Sequence, residues 1–92
     1  MSDLNKIYRP ASFLRSEQEA ETVLTIDPQE GKVYRFNDTA AFIWKSMDGT
    51  STLNLIIENL AKEYSAPLTQ IKKDAQAFID YLIENDLIEP VK

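Results

Sequence analysis

The residues that could carry acid–base chemistry here are carboxylates, because the chain contains no histidine and no cysteine. Their absence excludes thiol nucleophiles and thiolate zinc sites, and it removes the commonest general base and the commonest transition-metal ligand. The chain has only two glycines, Gly31 and Gly49, so it contains no glycine-rich phosphate-binding loop. Paired carboxylates could in principle still do acid–base work.

The carboxylates that could pair fall into three groups, each on a predicted turn or polar helix face. They are Glu17, Glu19 and Glu21 in a polar connector, Asp27 and Glu30 around a turn, and Asp80, Glu84 and Asp86 on a helix. The first group has strand-like spacing, but it is typical of a solvated hairpin tip. The second lacks the regular ligand spacing of a calcium loop. The sequence therefore predicts no catalytic residue, no metal and no cofactor, and we expect a protein that is not an enzyme.

Length and charge narrow the class of protein further. The 92 residues suffice for one domain, 1–92, and the apolar fraction of 43% is ordinary for a globular chain. Fifteen acidic and ten basic residues give a net charge of −5, which disfavours nucleic acid as a partner. The sequence contains no long apolar run and no signal-peptide pattern, so we expect a cytoplasmic protein without a membrane partner.

The first half of the chain has the pattern of strands. Tyr8–Leu14 predicts a weak first strand, with Pro10 suited to an edge, and Thr22–Ile26 is rich in β-branched residues. Gly31 can end a turn that leads into a third strand, Lys32–Phe36. The second and third strands, joined by this short turn, predict an antiparallel hairpin. In the third strand, alternation places Tyr34 and Phe36 on one face and Val33 and Arg35 on the other.

The second half has the pattern of three helices. Asn37 can cap the first, which Asp48-Gly49 would end, with Gly49 in the left-handed position. Ser51 or Thr52 can cap the second, Pro67 can start the third, and Asn85-Asp86 would end it, before Leu87-Ile88 returns to the core. Three antiparallel strands followed by three helices predict an α+β fold of the winged helix-turn-helix type.

The third helix carries an unusually wide apolar surface. Its central stripe consists of Ile71, Ala75, Phe78 and Leu82. One flank adds Ile79 and Ile83, and the other adds Asp74, Ala77 and Tyr81. Such a helix either is the central core helix or uses one flank to line a groove. Tyr81 favours its own flank as the groove wall, because an amphipathic ring suits a half-wet surface.

A winged helix raises DNA binding by a transcription regulator as the alternative function. In that fold the third helix would bring basic side chains to the phosphate backbone. Lys72 and Lys73 lie near the start of the helix, but acidic residues follow them and no lysine or arginine occurs again before Lys92. This charge pattern disfavours DNA. A third hypothesis is an adaptor whose groove holds part of a folded partner protein.

The run from Gly31 to Trp44, closed by Asp48-Gly49, resembles the signature of the PqqD-like family, the leader-peptide recognition elements of ribosomally synthesised peptide pathways. The similarity extends from about Thr22 to Ile88. It includes Thr52, Leu53, Ile56, Leu60, Tyr64, Asp74, Phe78, Leu82 and Leu87-Ile88. Two positions depart from the family pattern: Phe36 stands where leucine is more common, and Asp86 stands where glycine is usual.

The resemblance implies a winged helix that binds peptide instead of DNA. The leader of a precursor peptide would add as a strand to Lys32–Phe36 beside the last helix. A separate modifying enzyme, such as a protease or a radical enzyme, would then act on the precursor. Lasso peptides, quinone cofactor precursors and radical-enzyme products all fit this scheme. An unfilled strand edge could also pair with a second copy, giving a homodimer.

The predicted peptide-binding residues lie on the third strand and on one flank of the third helix. They are Val33, Tyr34, Arg35 and Phe36 on the strand, and Lys73, Asp74, Ala77, Phe78 and Tyr81 on the helix. Arg35 and Lys73 could meet acidic leader residues, and Asp74 could accept a hydrogen bond. The opposite flank, with Lys72, Gln76, Ile79 and Ile83, is the alternative wall. Asn37 and Trp44 are assigned structural roles, in the cap and the core.

Overall fold

The computed structural model describes residues 4–91 and has an α+β architecture. Its strands and helices are β1 (Tyr8–Pro10), β2 (Arg15–Glu19), β3 (Thr22–Asp27), β4 (Lys32–Phe36), α1 (Asp38–Ser46), α2 (Leu53–Tyr64), α3 (Leu68–Glu84) and β5 (Ile88–Pro90). A three-stranded antiparallel sheet thus precedes three helices, which confirms the predicted fold class. No helix within the described range is long and apolar enough to cross a membrane.

The three-stranded sheet has the order β2-β3-β4, so β2 and β4 are its two edges. β3 pairs in antiparallel register with both neighbours, Glu17 facing Leu24 and Leu24 facing Arg35. Side chains of β3 alternate in burial, because one face of the strand packs on the helices. The predicted hairpin of the second and third strands is confirmed, and Gly31 in its turn has a φ of 67°.

The predicted first strand is wrong in extent and in partner. Only Tyr8–Pro10 of the expected Tyr8–Leu14 is a strand, and it pairs with β5 in a separate two-stranded sheet. The first strand of the main sheet is Arg15–Glu19, which includes most of the expected polar connector. Only Ala20-Glu21 forms the turn. β2 is exposed throughout, so it shows no apolar alternation and forms because β3 offers a pairing edge.

All three helices begin directly after the residues predicted to precede them, whereas α1 ends earlier than predicted. Thr52 caps α2 by accepting a hydrogen bond from the Leu55 N–H, and Pro67 precedes α3. Asn37 precedes α1, but its side chain accepts a hydrogen bond from the Thr22 hydroxyl (2.8 Å) instead of capping the helix. α1 ends at Ser46, before the expected Gly49, although Gly49 does have a positive φ of 84°.

A tight turn after α1 is organised by Asp48. Its Oδ1 accepts hydrogen bonds from the Thr50 N–H (2.9 Å), the Thr50 hydroxyl (2.8 Å) and the Ser51 N–H (3.1 Å). The bonds from the Thr50 backbone and hydroxyl lower the pKa of Asp48, because they stabilise the charged carboxylate. This turn replaces the helix ending that Gly49 was expected to provide.

The core lies between the sheet and the three helices. Its fully buried large side chains are Ile43, Leu53, Ile56, Leu60, Ile79, Leu82 and Leu87. Trp44 is also buried, as predicted, and its indole N–H donates a hydrogen bond to the Ser16 hydroxyl on β2 (3.2 Å). After α3 the chain returns to the core as predicted, with Leu87 and Ile88 buried.

Candidate functional site

β4 is an edge strand with two chemically different faces. Val33 is 64% exposed and Arg35 is exposed, whereas Tyr34 is half-buried and Phe36 is buried. The alternation predicted for this strand is therefore confirmed. In the described sheet, the side of β4 away from β3 has no neighbouring strand, so alternate backbone N–H and C=O groups along it point outward.

An aromatic cluster joins the inner face of β4 to α3. The Phe36 ring meets the Phe78 ring edge-on at a centroid distance of 5.3 Å, and the Tyr34 ring meets the Tyr81 ring edge-on at 6.5 Å. Tyr34 and Phe36 also stack on each other at 6.4 Å. This aromatic cluster (Tyr34, Phe36, Phe78 and Tyr81) means that β4 lies beside the Phe78–Tyr81 flank of the helix.

The other predicted residues on this flank are exposed. Lys73, Asp74 and Ala77 all face solvent, and the Asp74 carboxylate accepts a hydrogen bond from the Gln70 side chain (3.0 Å). On the opposite flank, Ile79 is completely buried in the core. The alternative prediction, in which Ile79 lines the groove, is therefore wrong, because this side chain packs inside the protein.

A small apolar cavity of about 80 Å³ lies next to the aromatic cluster. It is formed where α1, α2 and α3 meet, and it is lined by Thr39, Ala40, Ile43, Leu60, Ile71, Asp74, Ala75 and Phe78. Asp74 and Phe78 belong both to this cavity and to the predicted site. Reasoning from the sequence missed the cavity, because its walls come from three helices. The only available signal was that Thr39 and Ala40 fall in the run that resembles the family signature.

The charged side chains around the aromatic cluster are free to meet a ligand. Lys32, Arg35 and Lys73 form no ion pair within the part of the chain that the structure describes; the ion pair found there joins Arg9 and Glu89 on the separate two-stranded sheet (3.7 Å). No group of three His, Cys, Asp or Glu residues in the described range could hold a metal ion. The site thus offers backbone pairing, aromatic contact and ionic contact.

Comparison with solved structures finds this fold in two peptide complexes. TbiB1 in complex with the TbiA(beta) leader peptide has a TM-score of 0.81 and 18% sequence identity, covering 88% of this chain and 94% of that one. A lasso peptide synthetase B1 complexed with the leader peptide has a TM-score of 0.79 and 24% identity, covering 90% and 98%. At these identities the likeness establishes a shared fold.

The sequence comparisons give one family. Curated protein sequences contain no match to this chain. Residues 21–88, which include the main hairpin, all three helices and the aromatic cluster, match the family described as Coenzyme PQQ synthesis protein D (PqqD). The match covers most of the chain and agrees with the resemblance seen in its sequence. The chain is a member of the PqqD family.

Proposed function

We propose that this chain is a non-catalytic leader-peptide-binding protein. It captures the leader of a ribosomal precursor peptide by strand addition to β4, beside α3, and presents the precursor to a separate modifying enzyme in the cytoplasm. Residues 1–92 act as one binding unit in this proposal. The observation that carries the proposal is the unpaired edge of β4 next to the aromatic cluster.

Strand addition supplies the affinity that does not depend on sequence. A peptide lying along Val33–Phe36 would satisfy the outward backbone N–H and C=O groups of β4. An exposed strand edge otherwise invites aggregation, and natural proteins protect such edges. Lys32 and Arg35 give partial protection in the free protein, because a second strand must approach two positive charges.

Side-chain contacts supply the specificity. Alternate residues of the bound strand would face α3, where the aromatic cluster favours apolar or aromatic side chains. The adjacent cavity is large enough for a small apolar group. Residues on the other face would lie beside Val33 and Arg35, where an acidic leader residue would be favourable. Lys73 could make a similar ionic contact, and Asp74 could accept a hydrogen bond from the peptide.

The relatives support a peptide ligand over the other candidate ligands. Both solved structures described above hold leader peptides, and both are proteins of the same fold. DNA remains disfavoured, because the acidic net charge of −5 opposes binding to a phosphate backbone. One of the two solved structures is a lasso peptide synthetase B1, which favours a lasso peptide as the product class. The partner enzyme, a protease or a radical enzyme, is a proposal that rests on the family.

A direct test begins with a search of the neighbouring coding sequences for a short precursor peptide, whose leader is then titrated into the protein and followed by backbone amide NMR. Saturable shifts confined to β4 and to the Lys73–Tyr81 segment of α3 are the expected result. Shifts that fail to saturate, or that appear only on β2, would refute capture at β4. A homodimer through the same edge would compete with the leader, so excess leader should leave a 1:1 complex in sedimentation experiments.

Tyr81→Ala is the sharpest single test of the proposed site. Tyr81 is 43% exposed, so the protein should fold normally, but the peptide loses an aromatic contact. We expect leader affinity to fall by roughly 5- to 30-fold, as for a central aromatic residue of an interface. Leu55→Ala is the matched control, because Leu55 is 45% exposed on α2 and outside the site. Equal affinities for the two variants would exclude Tyr81 from binding.

A further inference from the structure

A second concave surface lies on the other side of α1. This surface, the α1–α2 pocket, encloses about 330 Å³ between the β2–β3 turn, α1 and the end of α2. Its walls are formed by Gln18, Ala20, Glu21, Asp38, Ala41, Phe42, Lys45, Glu63 and Tyr64. None of these residues belongs to the leader-binding site proposed above, so leader binding does not account for this pocket.

Two aromatic rings form the apolar part of the α1–α2 pocket. Phe42 and Tyr64 meet edge-on at a centroid distance of 6.2 Å. Phe42 is half-buried, and Tyr64 remains 42% exposed although it continues the apolar stripe of α2. The pocket therefore keeps a large ring accessible at the end of a helix, where a ligand could stack on it.

Three carboxylates surround the rings. Glu21, Asp38 and Glu63 line the pocket, and none of them forms an ion pair within the described residues. Burial and the nearby charges of Asp38, Glu21 and Glu63 raise the pKa of Tyr64, because all of them disfavour its anion. Lys45 is the pocket's one basic residue, so the walls carry a net charge of −2, from three carboxylates and one ammonium.

α1 separates this pocket from the leader-binding site. The pocket is faced by one side of α1, which carries Asp38 and the residues three, four and seven positions after it: Ala41, Phe42 and Lys45. Thr39, Ala40 and Ile43, on another face of the same helix, line the small cavity next to the aromatic cluster. The α1–α2 pocket and the small cavity share no lining residue, so a peptide confined to β4 and the aromatic cluster would leave the α1–α2 pocket accessible.

We infer that the α1–α2 pocket docks an arginine side chain presented by the modifying enzyme while the leader occupies β4. The identity of this partner rests on the proposed function, whereas the preference for a cation rests on the pocket alone. A guanidinium is the best match, because its planar face can stack on Tyr64 or Phe42 while its edge donates to carboxylates. The enzyme would thus hold the loaded protein without displacing its peptide.

The preference for a cation can be tested with the tripeptide acetyl-Gly-Arg-Gly-amide and amide NMR. We expect saturable shifts at Glu21, Phe42 and Tyr64 that weaken as salt is added. The matched citrulline tripeptide has the same shape and no charge, and it should give no such shifts. Equal shifts with both peptides, or shifts scattered over the surface, would overturn the inference.

Charge variants give a test in both directions. Glu63→Gln should weaken tripeptide binding by roughly two- to five-fold, and Lys45→Gln should strengthen it by a similar factor, because each changes one charge in a solvated pocket. Glu58→Gln is the control: Glu58 is an exposed acid on the same helix, outside the pocket. If the two pocket variants do not change tripeptide affinity in opposite directions, the inference of a cation-binding pocket is contradicted.

The enzyme itself provides the decisive measurement. Binding of the modifying enzyme encoded beside the precursor should weaken in Glu63→Gln and not in Glu58→Gln, while leader affinity stays unchanged in both. If the leader binds and the enzyme does not distinguish the variants, the inference alone fails. If the tripeptide binds and the leader shifts no β4 amide, the proposed function fails and the cation pocket stands.

Discussion

Asp86 adopts a left-handed backbone conformation, with a φ of 56°, two residues after α3 ends at Glu84. This geometry lets the chain reverse direction so that Leu87 can enter the core, its N–H donating to the Leu82 carbonyl (2.9 Å). Residues with a Cβ are strained there, and aspartate tolerates the conformation better than most. Glycine adopts this conformation without strain, which agrees with the glycine that the resemblance implies at this position.

Asp86→Gly should therefore stabilise the protein. Removing the Cβ relieves left-handed strain, partly offset by the greater flexibility of glycine in the unfolded chain, so we expect a gain of about 0.5–1 kcal/mol in the free energy of unfolding. Urea denaturation followed by circular dichroism measures this difference. Asn85→Gly is the control, because Asn85 has a φ of −95° and no such strain to relieve. A loss of stability in Asp86→Gly would show that the aspartate side chain matters more than the backbone.

At the scale of elements, α2 is the helix whose start is best defined. The Thr52 hydroxyl accepts a hydrogen bond from the Leu55 N–H (3.2 Å), which satisfies one of the donors left unpaired in the first turn. The Leu53 and Asn54 N–H groups donate to the carbonyls of Lys6 (3.1 Å) and Leu4 (2.9 Å). The N-terminal segment and one side chain thus share the capping of this helix.

We expect Thr52→Ala to lower the free energy of unfolding by about 1 kcal/mol, the usual effect of losing a side-chain cap. Thr52→Ser keeps the hydroxyl and should remain within a few tenths of a kcal/mol of the parent protein. Thermal and urea unfolding of the two variants check the expectation. Similar losses in both would mean that the threonine methyl group, and not the hydrogen bond, stabilises the helix start.

Elements with a local signal were predictable from the sequence. The β3–β4 hairpin, the three helices and the two faces of β4 follow from turn residues, caps and apolar periodicity. β2 was not predictable, because Arg15–Glu19 is polar on both faces and exists as a strand only through its pairing with β3. The β1–β5 sheet was missed for a related reason: each strand has three residues, and their pairing spans almost the whole chain.

The candidate site shows the same division. Alternation in the strand and helical spacing in α3 single out four aromatic residues, Tyr34, Phe36, Phe78 and Tyr81. The resemblance implies that they belong to one site. The structure brings their rings together. The flank of α3 that faces β4 could not be derived from periodicity, because both flanks are apolar. Tertiary packing decides it by burying Ile79.

At the scale of the whole molecule, one core holds both sheets and all three helices. Leu87 is completely buried, and its carbonyl accepts a hydrogen bond from the Ala11 N–H (2.9 Å). This residue therefore links the end of α3 to the segment that follows β1. A protein of this size is stable by about 5–14 kcal/mol, so the loss of one such side chain takes a large share of the total.

Leu87→Ala should destabilise the protein by about 2–5 kcal/mol, because it removes a buried side chain and leaves a cavity. Ile83→Ala, at a position 36% exposed, should cost no more than about 1 kcal/mol. Both free energies can be measured by urea denaturation with tryptophan fluorescence, since Trp44 lies in the same core. A smaller loss in Leu87→Ala than in Ile83→Ala would contradict the packing described here.

The short sheet of β1 and β5 brings sequence-distant segments side by side, with Tyr8 opposite Pro90 and the Val91 N–H donating to the Ile7 carbonyl (2.8 Å). A host polypeptide could therefore enter and leave this unit at neighbouring points, which is the geometry that favours domain insertion and circular permutation. Fusion to another polypeptide at either side would then begin from the same small patch, so a load applied through the two ends would act on the β1–β5 pairing.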